Sequence, residues 1–159
     1  MMIWGGKEGI KKEKKSDARK EVDKILLKGD ANPLFYSQRF MSTNNTPTYK
    51  DLEIVPNEYN KRDYVIKVSI PEFNCVCPRT SLPDFGCINI EYTPNEHIVE
   101  LKSLKLYIVK FRNLGIFHEH VTNKILDDFT RACKPKTISV LGDFHPRGGI
   151  KTQVVCEKG

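Results

Sequence analysis

The chain has 159 residues, 39% hydrophobic, 9% aromatic and 29% charged, with a net charge of +6. This composition suits one modest packed domain plus some extra chain and argues against wholesale disorder. No apolar run approaches the roughly 20 residues that cross a bilayer, and no signal-peptide core follows the N-terminus, so a cytoplasmic protein without a membrane partner is expected. Residues 1–40 carry ten Lys or Arg against six Asp or Glu, a net +4, and residues 41–159 carry sixteen against fourteen, +2. The basicity belongs mostly to the leader, so the charge gives little reason to expect nucleic-acid binding by the folded part.

Residues 1–30 are rich in Lys and Glu, with Val22, Ile25 and Leu26 near helical spacing, which reads as a frayed helix. Residues 31–60 carry Asn, Pro, Thr and Ser, including Asn44-Asn45-Thr46-Pro47, and read as linker. The expected division is a weakly structured, basic extension over 1–60 and a folded domain over 61–159. Residues 1–40 are expected to be dispensable, with Met41 as an alternative start.

From Tyr64 to Ile70 the sequence is β-rich, and Pro71 is expected to stop the strand. Gly86 to Tyr92 alternates with period two and turns at Thr93-Pro94-Asn95-Glu96. A helix is predicted around 101–112, with Leu101, Leu104, Ile108 and Phe111 on one face. A second is predicted over 118–133, where Val121, Ile125 and Phe129 recur every fourth residue, and Asn113-Leu114-Gly115 separates the two. Thr137–Leu141 and Ile150–Val155 read as closing strands. The order ββααββ predicts an α+β fold, a four-stranded antiparallel sheet with two helices on one face. Such a layer leaves open sheet edges, which invite pairing with other subunits.

Five cysteines without an export signal predict free thiols. Cys75-x-Cys77 lacks the two-residue spacing of a structural zinc pair, and no metal is expected. Cys87, Cys133 and Cys156 read as small core or surface residues, and His97 and His145 likewise carry no motif. Lys102 and Lys105 are three apart on one helix and can reach one anionic ligand together; the alternative is a solvated face.

Four stretches carry a family resemblance: Phe73 to Thr80 with Pro83-Asp84-Phe85; Glu100 to Tyr107; Phe111-Arg112-Asn113 with Phe117-His118-Glu119; and Pro146-Arg147-Gly148-Gly149. From Asp63 to about Ile150 the chain resembles the short, single-domain NADPH-dependent 7-cyano-7-deazaguanine reductases, nitrile reductases of queuosine biosynthesis. The resemblance implies the tunnel fold, with subunits joining their sheets into multi-subunit barrels that stack as rings, and with active sites at subunit interfaces.

It also implies site roles. Cys77 would add to the nitrile carbon as a thiolate, giving a thioimide that a nicotinamide can reduce. Asp84 would donate protons, which a carboxyl group does only when burial or a like-charged neighbour keeps it partly protonated. His118 would lie beside the substrate and Glu119 would accept from its amino group and ring N–H. Val99, Glu100 and Leu101 would form a substrate loop; Leu101 stands where relatives carry Ser or Leu, so one hydroxyl contact is missing. Lys102, Ser103 and Lys105 would grip the NADPH phosphates, and no Gly-x-Gly-x-x-Gly follows a strand to suggest a Rossmann site. Cys75 could be inert or an oxidative partner of Cys77. Arg147 reads as structural, although it could face an acidic ligand, and Arg112 as the partner of a carboxylate within the fold.

Three rivals remain open at this level. One is an amidine-forming relative that adds an amine to the nitrile; the lysines of the cofactor motif argue against it. A metal-dependent tunnel-fold hydrolase would need a Cys/His ligand set that is not found. A basic RNA-binding module would owe its affinity to the leader and lose it with residues 1–40.

Overall fold

The computed structural model describes residues 46–159. The helix expected near Val22 to Leu26 and the alternative start at Met41 lie outside the described residues. Among them, strand β1 (Ile54–Pro56) follows a 3-10 turn at Tyr49–Asp51, and β2 (Ile66–Val76) and β3 (Pro83–Thr93) form an antiparallel pair. Strand β4 (His97–Val99) leads into helix α1 (Leu101–Val109), then α2 (His118–Cys133), β5 (Thr137–Arg147) and β6 (Ile150–Lys158). The main sheet has the order β2-β3-β5-β6, all antiparallel, and β1 pairs with β4 in a two-stranded sheet.

The predicted α+β core of four strands and two helices is present, and both helices cover one sheet face. Period-two burial makes that face: Ile88, Ile90 and Tyr92 of β3 and Ile138, Val140 and Phe144 of β5 point inward. Against them pack Leu104, Tyr107 and Phe111 from the α1 segment, and Val121, Ile125 and Phe129 from α2. Tyr92 meets Phe129 edge-on with ring centroids 4.9 Å apart, and Phe73 of β2 meets Phe111 at 5.9 Å. The opposite face is polar, with Lys67 and Glu91 paired at 2.8 Å across β2 and β3. Strands β2 and β6 are the two edges of the main sheet.

Two expectations need correction. Pro71 does not stop β2. The strand runs on to Val76 through a bulge between Ile70 and Phe73, where a residue without an N–H leaves no ladder bond unmade. The stretch 46–60 is not plain linker. Asp51 accepts from the Thr48 N–H at 2.8 Å and pairs with Lys110 at 2.6 Å, while Leu52 is buried in the main core. Asn57 is also buried and donates to the Asn95 carbonyl. Short polar turns tied by side chains, rather than an apolar period, order this segment, so the folded unit begins well before residue 61.

Candidate functional site

At the end of β2 the chain turns from Cys77 to Leu82 and re-enters the sheet as β3. The Cys77 N–H donates to Leu82 O and the Ser81 N–H to Cys77 O, both at 2.9 Å. Ser81 takes a left-handed φ of 58° to close the turn. Just before it, Val76 N–H donates to Leu114 O and Val76 O accepts from the Ile116 N–H, each at 3.0 Å. The connection between α1 and α2 is thereby laid beside the end of β2, which delivers His118, the first residue of α2, to the same end of the sheet.

Cys77 is half-buried. Burial pushes its thiol up, but bonds from the Thr80 hydroxyl and from the Arg79 and Thr80 N–H groups outweigh that and the nearby Asp84 charge. The net effect is a thiol held below its ordinary range, as a nucleophile needs. Cys75 is the opposite case. It is fully buried, and burial, then the Asp84 and Cys77 charges, push its thiol up to about 12. Of the two cysteines, only Cys77 has the surroundings of a reactive thiol.

Asp84 sits opposite Cys75 in the β2–β3 register and is only 5% exposed. Its Oδ1 lies 2.5 Å from Arg147 Nη1, an ionic contact outside hydrogen-bond alignment, since Oδ1 has no hydrogen-bond partner. Its Oδ2 lies 3.6 Å from His118 Nε2, too long for a hydrogen bond. The setting expected for a proton donor is burial or a like-charged neighbour; Asp84 is buried, and it also meets a cation. The His118 ring lies flat on Phe144, centroids 3.8 Å apart and planes parallel. Glu119 is exposed in the first turn of α2.

The segment Val99–Lys105 lies elsewhere. Glu100 caps α1, its two carboxylate oxygens accepting from Lys102 N at 2.7 Å and Ser103 N at 2.6 Å, and these bonds hold its carboxyl below the usual range. The buried Ser103 hydroxyl donates to Glu100 O at 2.7 Å and accepts from Glu53 N at 2.9 Å. Its two bonds are made within the fold, which leaves Lys102 and Lys105 as the exposed polar groups of this motif. Val99 is buried and Leu101 exposed. Lys105 and Arg112 line a cleft of about 310 Å³ between α1 and β2, floored by Val68, Ile70, Leu104 and Ile108. On β2 the cleft is lined by Val68 to Glu72, five to nine residues before Cys77. At roughly 3.3 Å per strand residue the cleft lies about 15–30 Å from Cys77 along the strand within one chain.

The fold thus gathers Cys77, Asp84 and His118, and leaves Val99 to Lys105 outside that cluster. Sequence reasoning missed two members of it. Phe144 carries no motif signal. Arg147 was singled out by its Pro-Arg-Gly-Gly turn, but its partner, 63 positions away, has no local signature. Among the described residues no three His, Cys, Asp or Glu side chains are placed to hold a metal ion. No helix among them is long and apolar enough to cross a membrane.

Residues 83–159 match the family described as QueF-like protein. An NADPH-dependent 7-cyano-7-deazaguanine reductase of Alkalilimnicola ehrlichii is 52% identical over 113 residues, covering 71% of this chain and 88% of the relative. Proteins of the same description from Chloroherpeton thalassium and Thermomicrobium roseum are 55% and 52% identical, covering 66% and 70% of this chain and 90% and 87% of their own. Among solved structures, the archaeosine synthase QueF-Like in its apo form superposes with a TM-score of 0.56. It shares 22% identity and covers 60% of this chain and 93% of its own, a likeness of fold.

Proposed function

We infer the function from the premise that this chain belongs to the family of NADPH-dependent 7-cyano-7-deazaguanine reductases. It is an oxidoreductase that uses NADPH to reduce 7-cyano-7-deazaguanine to the 7-aminomethyl compound, a step of queuosine biosynthesis. The observation that carries the site assignment is the contrast between the two thiols: Cys77 is held below its ordinary range beside a buried Asp84, while Cys75 is pushed up to about 12.

In this reading the Cys77 S–H adds across the nitrile. The C–S bond forms, one π bond of the C≡N group breaks, and the thiol proton reaches nitrogen by way of the Asp84 carboxylate. When bound, NADPH supplies the hydrides, one from each of two molecules. Each reduction also places a proton on nitrogen, and the second follows release of Cys77 from carbon. His118, held flat by Phe144, orders the far side of Asp84, and the exposed Glu119 is free to accept from the deazaguanine amino group and ring N–H. Lys102 and Lys105, solvated and three apart, suit the cofactor phosphates, with the apolar-floored cleft beside Lys105 open to the rest of the nucleotide. Glu100 and Ser103 act in shaping that segment.

The separation of the lysines from Cys77 supports an active site shared between copies, with the cofactor cations of one subunit facing the thiol of its neighbour. The two open edges, β2 and β6, support joining of sheets into a barrel and stacked rings. A cytoplasmic location belongs to the same reading.

The test follows nicotinamide absorbance with 7-cyano-7-deazaguanine and NADPH. Two equivalents should be consumed per product, Cys77→Ala should be inactive, and substrate without NADPH should add its mass to Cys77. Substrate-dependent NADPH oxidation that survives Cys77→Ala would overturn the assignment.

A further inference from the structure

The cleft between α1 and β2 holds a second cation that the reading above leaves unassigned. Past the end of α1 the chain continues in tight i to i+3 turns, with Phe111 N–H donating to Ile108 O at 3.1 Å and Arg112 N–H to Val109 O at 3.2 Å. Phe111 is fully buried in the core, so its neighbour Arg112 emerges on the outside, on the cleft wall that also carries Lys105. Seven residues of helix and turn set the two cations on the order of 10 Å apart along that wall. The carboxylate partner expected for Arg112 within the fold is absent: among the described residues nothing pairs with its guanidinium. Arg62 and Arg131, by contrast, lie over the rings of Tyr59 and Tyr49, at 4.6 and 3.9 Å.

An exposed arginine without a partner is ordinary on a polar surface; its setting singles this one out. The cleft, about 310 Å³ with an apolar floor, has two cations on the α1 wall against one carboxylate, Glu72, at the bulge of β2. An apolar floor suits a flat base, and a planar guanidinium takes a phosphate through two parallel N–H bonds. The phosphorylated adenosine of NADPH combines the two, and its ribose phosphate is the one group that NADH lacks. It is also the end of the cofactor remote from the reacting carbon, so its seat need not approach Cys77. We propose that Arg112 binds the ribose 2′-phosphate of NADPH in this cleft and sets the preference for NADPH over NADH. The proposal rests on the reading of Lys102 and Lys105 as cofactor residues, and adds the residue that chooses between the two cofactors.

Calorimetry with NADP+ and NAD+, which differ only in that phosphate, reads the preference without turnover. Four full-length proteins are compared: wild type, Arg112→Gln, Arg112→Lys, and Lys102→Ala with Lys105→Ala. Losing a charge-assisted contact should weaken NADP+ binding about 10- to 100-fold in Arg112→Gln and leave NAD+ binding unchanged, so the preference collapses. Arg112→Lys should recover part of it. Turnover should agree: the KM for NADPH rises, the KM for NADH and both kcat values hold, and substrate adds to Cys77 at the wild-type rate. A wild-type preference retained in Arg112→Gln would overturn the proposal, as would an equal loss for both nucleotides, the mark of a general attraction for the pyrophosphate. A retained preference with a smaller particle in gel filtration would assign the cleft to a neighbouring subunit instead. If the lysine variant binds both nucleotides as wild type does, the cofactor reading of the segment fails first and takes the proposal with it. Circular dichroism checks folding; if Arg112→Gln does not fold, Arg112→Lys carries the comparison.

Discussion

Gly142 of β5 lies against the Phe144 ring on which His118 stacks, and Gly142→Ala is the sharpest probe of how that stack is held. Its φ lies outside the left-handed region, so alanine is acceptable to the backbone and only space decides. A Cβ there would lie 2.6 Å from Thr122 Oγ1 and 2.7 Å from Phe144 Cε2. Neither neighbour yields easily. The Thr122 hydroxyl donates to His118 O at 2.8 Å, and the Phe144 ring is 1% exposed and bounded on its other side by Gly86. Overpacking a core of this kind costs about 1–3 kcal/mol. For a folded part of this size, about 4 °C of melting temperature per kcal/mol gives a fall of roughly 4–12 °C. The clash also pushes Phe144 out of the plane that supports His118, so adduct formation at Cys77 should slow even at 20 °C, where the variant is folded. Thermal melting by circular dichroism and adduct mass at 20 °C read the two effects. A variant that melts with wild type and forms adduct at the wild-type rate would refute the close approach; one that melts early but reacts normally would uncouple Phe144 from His118.

Three further outcomes are expected. Thr80→Val removes a hydroxyl that stabilises the Cys77 thiolate, so the pH midpoint of iodoacetamide alkylation at Cys77 should rise; an unchanged or lower midpoint would mean the loop N–H groups suffice. Cys75 and Cys133 are each raised from 9.0 to about 12 on folding, mainly by burial. A raised folded value gives stability that is complete below about 9 and is lost as pH climbs towards 12, so urea midpoints should fall over that window, and less so in Cys75→Ala. Lys102→Ala combined with Lys105→Ala should raise the KM for NADPH about tenfold or more, as expected for two lost phosphate contacts, while substrate still adds to Cys77; an adduct lost with the lysines would remove them from the cofactor's site.

What could be read from the sequence was what repeats locally. The helices were legible because Leu104, Ile108 and Phe111, and Val121, Ile125 and Phe129, return at helical spacing, and the strands because β3 alternates. Pro71 misled because a proline reads as a stop, whereas on an edge strand its missing N–H is absorbed by a bulge. The segment 46–60 misled because its order comes from paired polar groups such as Asp51 with Lys110, 59 positions apart. The same holds at the site. Cys77 and Asp84 were visible as a motif, but the Arg147 ion pair and the Phe144 stack depend on strands meeting in space.

In the proposed function the segment Glu100–Lys105 would serve two purposes with one motif. An anionic side chain at a helix start satisfies N–H groups that have no partner within the helix, and Glu100 does this with both oxygens. Ser103 turns inward and ties α1 to Glu53, next to β1, so the first turn of the helix is fixed on its buried side. With Glu100 and Ser103 so occupied, the lysines at 102 and 105 emerge from a rigid turn rather than a fraying end. Two mobile ammonium groups would lose side-chain freedom on gripping a phosphate; anchoring their backbone lowers the part of that cost that belongs to the helix. The residues that hold the turn and the residues that would meet the ligand are therefore interleaved, and a substitution at Glu100 or Ser103 would weaken cofactor binding without either side chain touching the cofactor.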